Sequence, residues 1–179
     1  MRRFFYLIFL TGLISSCSHN TGDNDNYSRS EKKIRKDILR IAEKYAAGNI
    51  KDSKKEIIEN GLITIGNTEK TYVIDPSKMF IGHINKDTIN DAIITLYPFQ
   101  NNYEVTNEHL FIINTDGKLM MVRSLESDIR IISVKDGIIT AEVPEHSRNT
   151  PLFNCPSCWE VVEYQFINGE LIKTDLNME

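Results

Sequence analysis

Several signatures that would assign a function outright are missing from this chain of 179 residues. There is no G-x-S-x-G nucleophile elbow and no glycine-rich phosphate loop, so two common routes to hydrolysis and nucleotide binding have no sequence support. No strand–helix–strand alternation and no repeat of fixed period occurs, which argues against a doubly wound sheet or a solenoid. Only three cysteines are present, so the second C-x-x-C pair of a zinc ribbon is absent. Positive charge is not in excess: 21 Lys and Arg stand against 25 Asp and Glu. That balance argues against DNA or RNA as a partner, because phosphate binding needs a basic surface. What remains is 41% hydrophobic and 26% charged, a globular composition of one-domain length.

The N-terminus reads as an address. Arg2 and Arg3 precede Phe4–Ile14, an apolar run of eleven residues. At 1.5 Å per helical residue it spans about 16 Å, roughly half of a ~30 Å hydrocarbon core. It is therefore a signal-peptide core and not a membrane span. Ile14-Ser15-Ser16-Cys17 then places two small residues before a cysteine. This segment resembles the bacterial lipobox of the signal peptidase II type. The resemblance implies cleavage before Cys17 and attachment of a diacylglycerol and further acyl chains to it. Two or three acyl chains anchor durably, at about 0.8 kcal/mol per buried CH₂. Membership also implies partnership with the membrane through that anchor. Ser18 after the cysteine is not the acidic residue that retains lipoproteins in the inner membrane of some enteric bacteria, so the outer membrane is the expected destination. Without residues 1–16 the chain carries 19 Lys and Arg against 25 Asp and Glu, a net charge of −6.

Three regions are expected: signal peptide 1–16, lipid-anchored flexible tether 17–29, and a single α+β domain 30–179. The tether contains no aliphatic residue over 18–26 and is rich in turn formers. Ile34, Ile38, Ile41 and Tyr45 fall on one helical face and predict a helix over about 29–47, with Ser28 and Glu31 as a capping box and Gly48 as the stop. Its other face carries Lys32, Lys33, Arg35, Lys36, Arg40 and Lys44 among acidic residues. This face is either solvated or a dock for an anionic surface. Residues 51–65 fit a short helix ending at Gly61, the preferred reading, or a hairpin turning at Asn60-Gly61.

Beyond that the chain reads as strands. Thr71–Ile74, Met79–Ile84 and Ala92–Pro98 come first. Asp116-Gly117, Asp136-Gly137 and Asn168-Gly169 each separate two apolar runs, the strongest short-range hairpin signal. The expected fold is α+β: one long N-terminal amphipathic helix packed on one face of a curved antiparallel β-meander of about seven or eight strands.

Four groups of residues are candidates for chemistry. Residues 82–94 resemble the calcium loop of FG-GAP and VCBS-like extracellular β-proteins. Asn85, Asp87 and Asp91 take its third, fifth and ninth positions, but His83 replaces the first Asp and Thr88 the Gly. The resemblance implies Ca²⁺ as a cofactor; the alternative, preferred, is a turn whose Asn and Asp side chains bond the loop backbone, with no cofactor. Cys155 and Cys158 form a C-x-x-C pair before a predicted strand and not at a helix start. A disulfide is the expected state in an oxidising compartment, with zinc or redox use as alternatives. Pro144–Pro156 is the longest irregular segment. Its His146, Leu152 and Phe153, with the following Trp159, form either a binding loop or a spacer. Tyr97, Phe99 and Tyr103 flank an amide-rich loop suited to sugar or peptide, or are partly buried turn residues. His109 beside Glu108 is a further titratable pair.

These features point to a non-enzymatic binding module of the cell envelope, with a protein, glycan or toxin as ligand. The alternatives are a metal-dependent or hydrolytic enzyme using the 83–91 loop, and a structural accessory of an outer-membrane complex.

Overall fold

The computed structural model describes residues 22–174 except 86, 102 and 145–158, with helix side chains from Ser30 onward. Among the described residues one α-helix, α1 (Gly22–Gly48), precedes eleven strands. The strands are β1 (Lys54–Ile57), β2 (Ile63–Gly66), β3 (Lys70–Gly82), β4 (Asp91–Gln100), β5 (Tyr103–Glu104), β6 (Glu108–Thr115), β7 (Lys118–Glu126), β8 (Arg130–Lys135), β9 (Ile138–Pro144), β10 (Trp159–Ile167) and β11 (Glu170–Lys173). The architecture is α+β and the pairing antiparallel.

The strands do not form one meander. They form two sheets, one ordered β1-β2-β3-β4-β6-β7 with β5 added to β4, the other ordered β11-β10-β9-β8. Residues 127–129 carry the chain from the first to the second. Three two-residue turns lie where the dipeptides predicted them. Asp116-Gly117, Asp136-Gly137 and Asn168-Gly169 all have positive φ at both positions, between 52° and 83°. A type I′ turn requires that, and its twist matches the strands it joins.

The helix departs from expectation at its start. Ser28 lies inside α1, so it is not the cap of a helix beginning there. The packed stripe is also rotated. Ile38, Ala42 and Ala46 are fully buried, whereas Ile34, Ile41 and Tyr45 flank them, partly buried. Small alanines at the centre let the helix lie close to the sheet. Residues 51–65 form a hairpin, not the preferred helix. Lys54–Ile57 pairs with Ile63–Gly66, and a 3-10 turn at Glu59–Gly61 holds Asn60 at φ 65° and Gly61 at φ 75°. The two predicted strands 71–74 and 79–84 are largely one, β3, interrupted by a register shift between Ile74 and Met79. There Asp75 accepts hydrogen bonds from the Ser77 amide (2.8 Å) and hydroxyl (2.6 Å).

The main correction concerns burial. The larger sheet is covered on both faces, not one. Toward α1 lie Tyr72, Ile74, Met79, Ala92, Ile94, Leu96, Leu110 and Ile112. Toward the second sheet lie Ile93 and Phe111, packed by Ile139, Tyr164, Phe166 and Leu171. Phe111 and Phe166 stack with centroids 4.7 Å apart. The fold is therefore helix, seven-stranded sheet, four-stranded sheet. Each fully buried Ile or Phe contributes about 1.5–3 kcal/mol. Gly82 marks one close approach between the layers: a Cβ there would stand 2.6 Å from the Val134 carbonyl oxygen.

Candidate functional site

The second sheet covers only part of the larger one. Where β8 begins, a cleft of about 330 Å³ opens between the layers. Its size falls at the lower end of small-ligand pockets, which run to about 1,000 Å³. Strand alternation decides what faces it. Ile93, Thr95 and Tyr97 of β4 share the face opposite the helix, and so do His109 and Phe111 of β6. Ile93 and Phe111 are packed under the second sheet; Thr95, Tyr97 and His109 lie farther along, where the cover ends.

The cleft is graded by depth. Lys78, Glu104 and Arg130 form an exposed, charged rim. Phe80, Tyr97, Asn107 and Ile131 form half-buried walls. Thr95, His109 and Ile129 form the buried floor. Arg130 also lies over the Trp159 ring, 3.9 Å from its centroid, and its Nη1 is 3.9 Å from Glu142. The burial of Tyr97 pushes its phenol above the ordinary value, helped by the carboxylates of Asp75 and Glu104.

Two polar atoms here have no hydrogen-bond partner among the described residues. His109 Nδ1 lies 3.0 Å from Thr95 Oγ1, but Nε2 is shielded from water and makes no hydrogen bond. Backbone groups of Ser127 and Ile129 sit close enough to favour the charged ring, yet neither meets hydrogen-bond geometry with Nε2. Burial dominates, and the imidazole is held below its usual pKa. Asn107 Oδ1 is likewise shielded and unpaired. An unsatisfied buried group of this kind costs about 1–3 kcal/mol, and two of them in the residues of one cleft call for an explanation.

The neighbouring buried acid is, by contrast, fully engaged. Glu108 faces the helix, one residue before His109 and on the opposite side of β6. It accepts hydrogen bonds from the Tyr45 and Tyr72 hydroxyls, the latter at 2.9 Å. Both phenols are held above their usual pKa, chiefly by burial and then by the hydrogen bond to Glu108. The pair read as adjacent in sequence is thus split between two layers and does not form one site.

The 83–91 loop uses its carboxylates internally. Asp91 is fully buried; its Oδ2 accepts from the amides of Ile84 (3.0 Å) and Asn85 (3.3 Å), and its Oδ1 from that of Asn114 (2.8 Å). Asp87 Oδ1 accepts from the Ile89 amide and Oδ2 from Asn85 Nδ2, both at 2.8 Å. Asn85 Oδ1 accepts from the Asp87 amide at 3.2 Å. Every side-chain oxygen of the three residues therefore has a protein donor. Among the described residues no group of three or more His, Cys, Asp or Glu side chains is arranged to hold a metal ion. The His83 carbonyl accepts from the Gly137 amide at 2.8 Å, tying this loop to the β8–β9 turn.

Cys17, His146, Leu152, Phe153, Cys155 and Cys158 lie outside the described residues. Trp159 opens β10, half-buried and paired with Pro144. Of the aromatic loop, Tyr97 lines the cleft, Phe99 pairs with Glu104 beside it, and Tyr103 is 77% exposed. Sequence reasoning missed Thr95, Glu104, Asn107 and Arg130. The available signal was a polar residue in or beside a buried run: Thr95 within Ala92–Leu96, and His109, which follows the buried Glu108, before Leu110–Ile113. The basic helix face is largely solvated, with Arg35 paired to Glu31 and Arg40 to Asp37.

The chain matches no protein-family model, no curated protein and no solved structure. No helix among the described residues is long and apolar enough to cross a membrane.

Proposed function

We propose that this chain is a lipid-anchored envelope protein that acts by binding, with the inter-sheet cleft at Thr95, Asn107, His109 and Arg130 as its ligand site. One observation supports the reading: a cleft of about 330 Å³ lies between the sheets, walled by Phe80 and Tyr97 and rimmed by the exposed charges of Lys78, Glu104 and Arg130. A ligand seated there would bury the half-buried aromatic walls and meet charged groups at the rim that can orient it. The anchor rests on Ile14-Ser15-Ser16-Cys17. Attachment there would hold the domain at a membrane surface, outer membrane by preference, without a spanning segment.

Capture tests the binding. Envelope extract is passed at physiological salt over the full chain and over an Arg130→Gln/Glu104→Gln variant, both held in detergent. A component retained stoichiometrically by the first and lost from the second supports the reading. A blank from both, with the wild-type bait showing a cooperative melt, overturns it. Palmitate labelling tests the anchor: label on the wild type and none on Cys17→Ser is the expected result.

A further inference from the structure

Building on the anchor in that reading, we infer that the outer face of α1 is a docking surface for anionic phospholipid headgroups, with Lys32, Lys36, Arg40 and Lys44 as its contacts. Helix geometry lines these residues up. At 3.6 residues per turn, positions four apart form one row along the axis. The row lies opposite Ile38, Ala42 and Ala46, which are buried against the sheet, and all four of its side chains are exposed. Lys33 is exposed in the same arc. The acidic residues of the helix do not interrupt the row. Glu31, Asp37 and Glu43 are half-buried, each next in sequence to a member of the row and so about 100° around the helix from it. Glu31 is taken by Arg35 at 3.0 Å and Glu43 by Lys55 at 2.6 Å. Asp37 meets Arg40 at 3.4 Å, yet the Arg40 side chain stays 80% exposed. Lys32, Lys33, Lys36 and Lys44 make no ion pair among the described residues.

Folding gives no reason for this row. Lys32/Lys36, Lys36/Arg40 and Arg40/Lys44 are successive like-charge pairs at i,i+4, an arrangement that destabilises a helix; a face kept for solvation gains by placing Glu ahead of Lys at that spacing. An anionic surface replaces the repulsion by attraction. The rest of the chain favours one orientation on it. Residues 29–48 carry 7 Lys and Arg against 3 Asp and Glu, whereas residues 49–179 carry 12 against 20. A negatively charged membrane therefore attracts the helix layer and repels the sheets. Reach agrees, and this point alone rests on the anchor. α1 begins at Gly22, five residues after Cys17, so attachment there holds its first turn within about 18 Å of the headgroups, at ~3.6 Å per residue. The row extends about 18 Å along the axis, and a helix lying on the surface meets it over that whole length. The layering keeps the cleft off the bilayer: it opens between the two sheets, on the side of the larger sheet that α1 does not cover.

The test floats the full-length Cys17→Ser chain, which lacks the acylation site, with vesicles of phosphatidylcholine alone or with about 30% phosphatidylglycerol. Both vesicles meet the same Phe4–Ile14 segment, so the difference between them reads charge. The expected result is partition about tenfold or more in favour of phosphatidylglycerol at ~0.05 M salt, lost at ~0.5 M. The further change Lys32→Gln/Lys36→Gln/Arg40→Gln/Lys44→Gln should abolish the preference. That variant should melt close to its parent without vesicles, because it removes like-charge pairs and Gln favours the helix about as Lys does. Should it fail to fold, Lys32→Gln/Lys36→Gln replaces it and should reduce the preference about threefold or more. Equal flotation of the folded chain on both vesicles overturns the inference and leaves the anchor and the cleft, read by palmitate and by capture, as they stand. A preference that the variants retain places the attraction elsewhere and also overturns it. Capture of an envelope protein that the fourfold variant loses, with no preference for phosphatidylglycerol, overturns the lipid and assigns the row to an acidic protein.

Discussion

Tyr72 donates its hydroxyl to Glu108 across 36 residues of sequence, at 2.9 Å in a buried setting, and Tyr45 of the helix donates to the same carboxylate. This three-residue link joins α1, β3 and β6 on the helix side of the larger sheet. Hydrogen bonds to a buried charged group are worth about 1.5–3 kcal/mol. Tyr72→Phe should therefore destabilise the protein by roughly that amount, read from urea unfolding with an unchanged m value. Alkaline pH should act on the same link. Both phenols have raised pKa values in the fold, so their contribution is complete below the unfolded tyrosine pKa of ~10 and declines as pH rises above it. Stability measured from pH 9 upward should fall less steeply in Tyr72→Phe than in the wild type.

His109 should impose a dependence at the acid end. Its folded pKa is depressed, so below about pH 6.5 the unfolded chain takes up a proton that the buried ring resists. Its stabilising share is complete above that pH and is lost as pH falls through the window beneath it, at no more than about 1.4 kcal/mol per unit. The stability difference between wild type and His109→Gln should be constant from pH 7 to 8 and shift against the wild type between pH 6.5 and 5. Parallel curves through that range would show that the ring titrates normally.

Asp91 should be indispensable for folding and indifferent to calcium. Its carboxylate terminates three backbone amides, from Ile84, Asn85 and Asn114. Asp91→Ala leaves those donors buried without an acceptor and should cost about 3–5 kcal/mol. Because the oxygens of Asn85, Asp87 and Asp91 already receive protein donors, a cation must displace them to bind. The melting temperature should be the same in millimolar Ca²⁺ as in EDTA. A rise that Asp87→Ala abolishes would restore the calcium-loop reading.

Gly82 and Gly48 should respond oppositely to the same substitution. Gly82→Ala puts a methyl 2.6 Å from the Val134 carbonyl oxygen, so β3 or β8 must move, at about 1–3 kcal/mol. Gly48→Ala meets nothing within 4 Å at the end of α1 and should be neutral or stabilising by up to about 1 kcal/mol. Thermal melts of the two variants decide it.

Local chemistry was legible wherever a few neighbouring residues dictate the backbone. Asp116-Gly117, Asp136-Gly137 and Asn168-Gly169 demand positive φ on their own account, so three hairpins followed from six residues. Asn60-Gly61 carried the same signal and was outweighed by a helical reading of 53–61; the turn chemistry prevailed because Lys54–Ile57 gains a partner strand in β2. The Asn and Asp side chains of 85–91 likewise bond within reach of their own loop.

The layers and the cleft were decided only by tertiary structure. Ala92–Leu96, Thr95 aside, and Leu110–Ile113 are apolar on both faces, and such runs lack the alternation that tells one face from the other. Two sheets and a helix were needed to bury them, yet neither the second cover nor its limit is encoded in period. The limit made the cleft. It brought Thr95 to His109, Asn107 beside them and Arg130 from another sheet to the rim, through strand register and the crossing at 127–129. Turns are set by local φ/ψ preferences, which a dipeptide carries by itself; a site assembled from distant strands depends on register and on which surface remains uncovered, and those are properties of the packed whole.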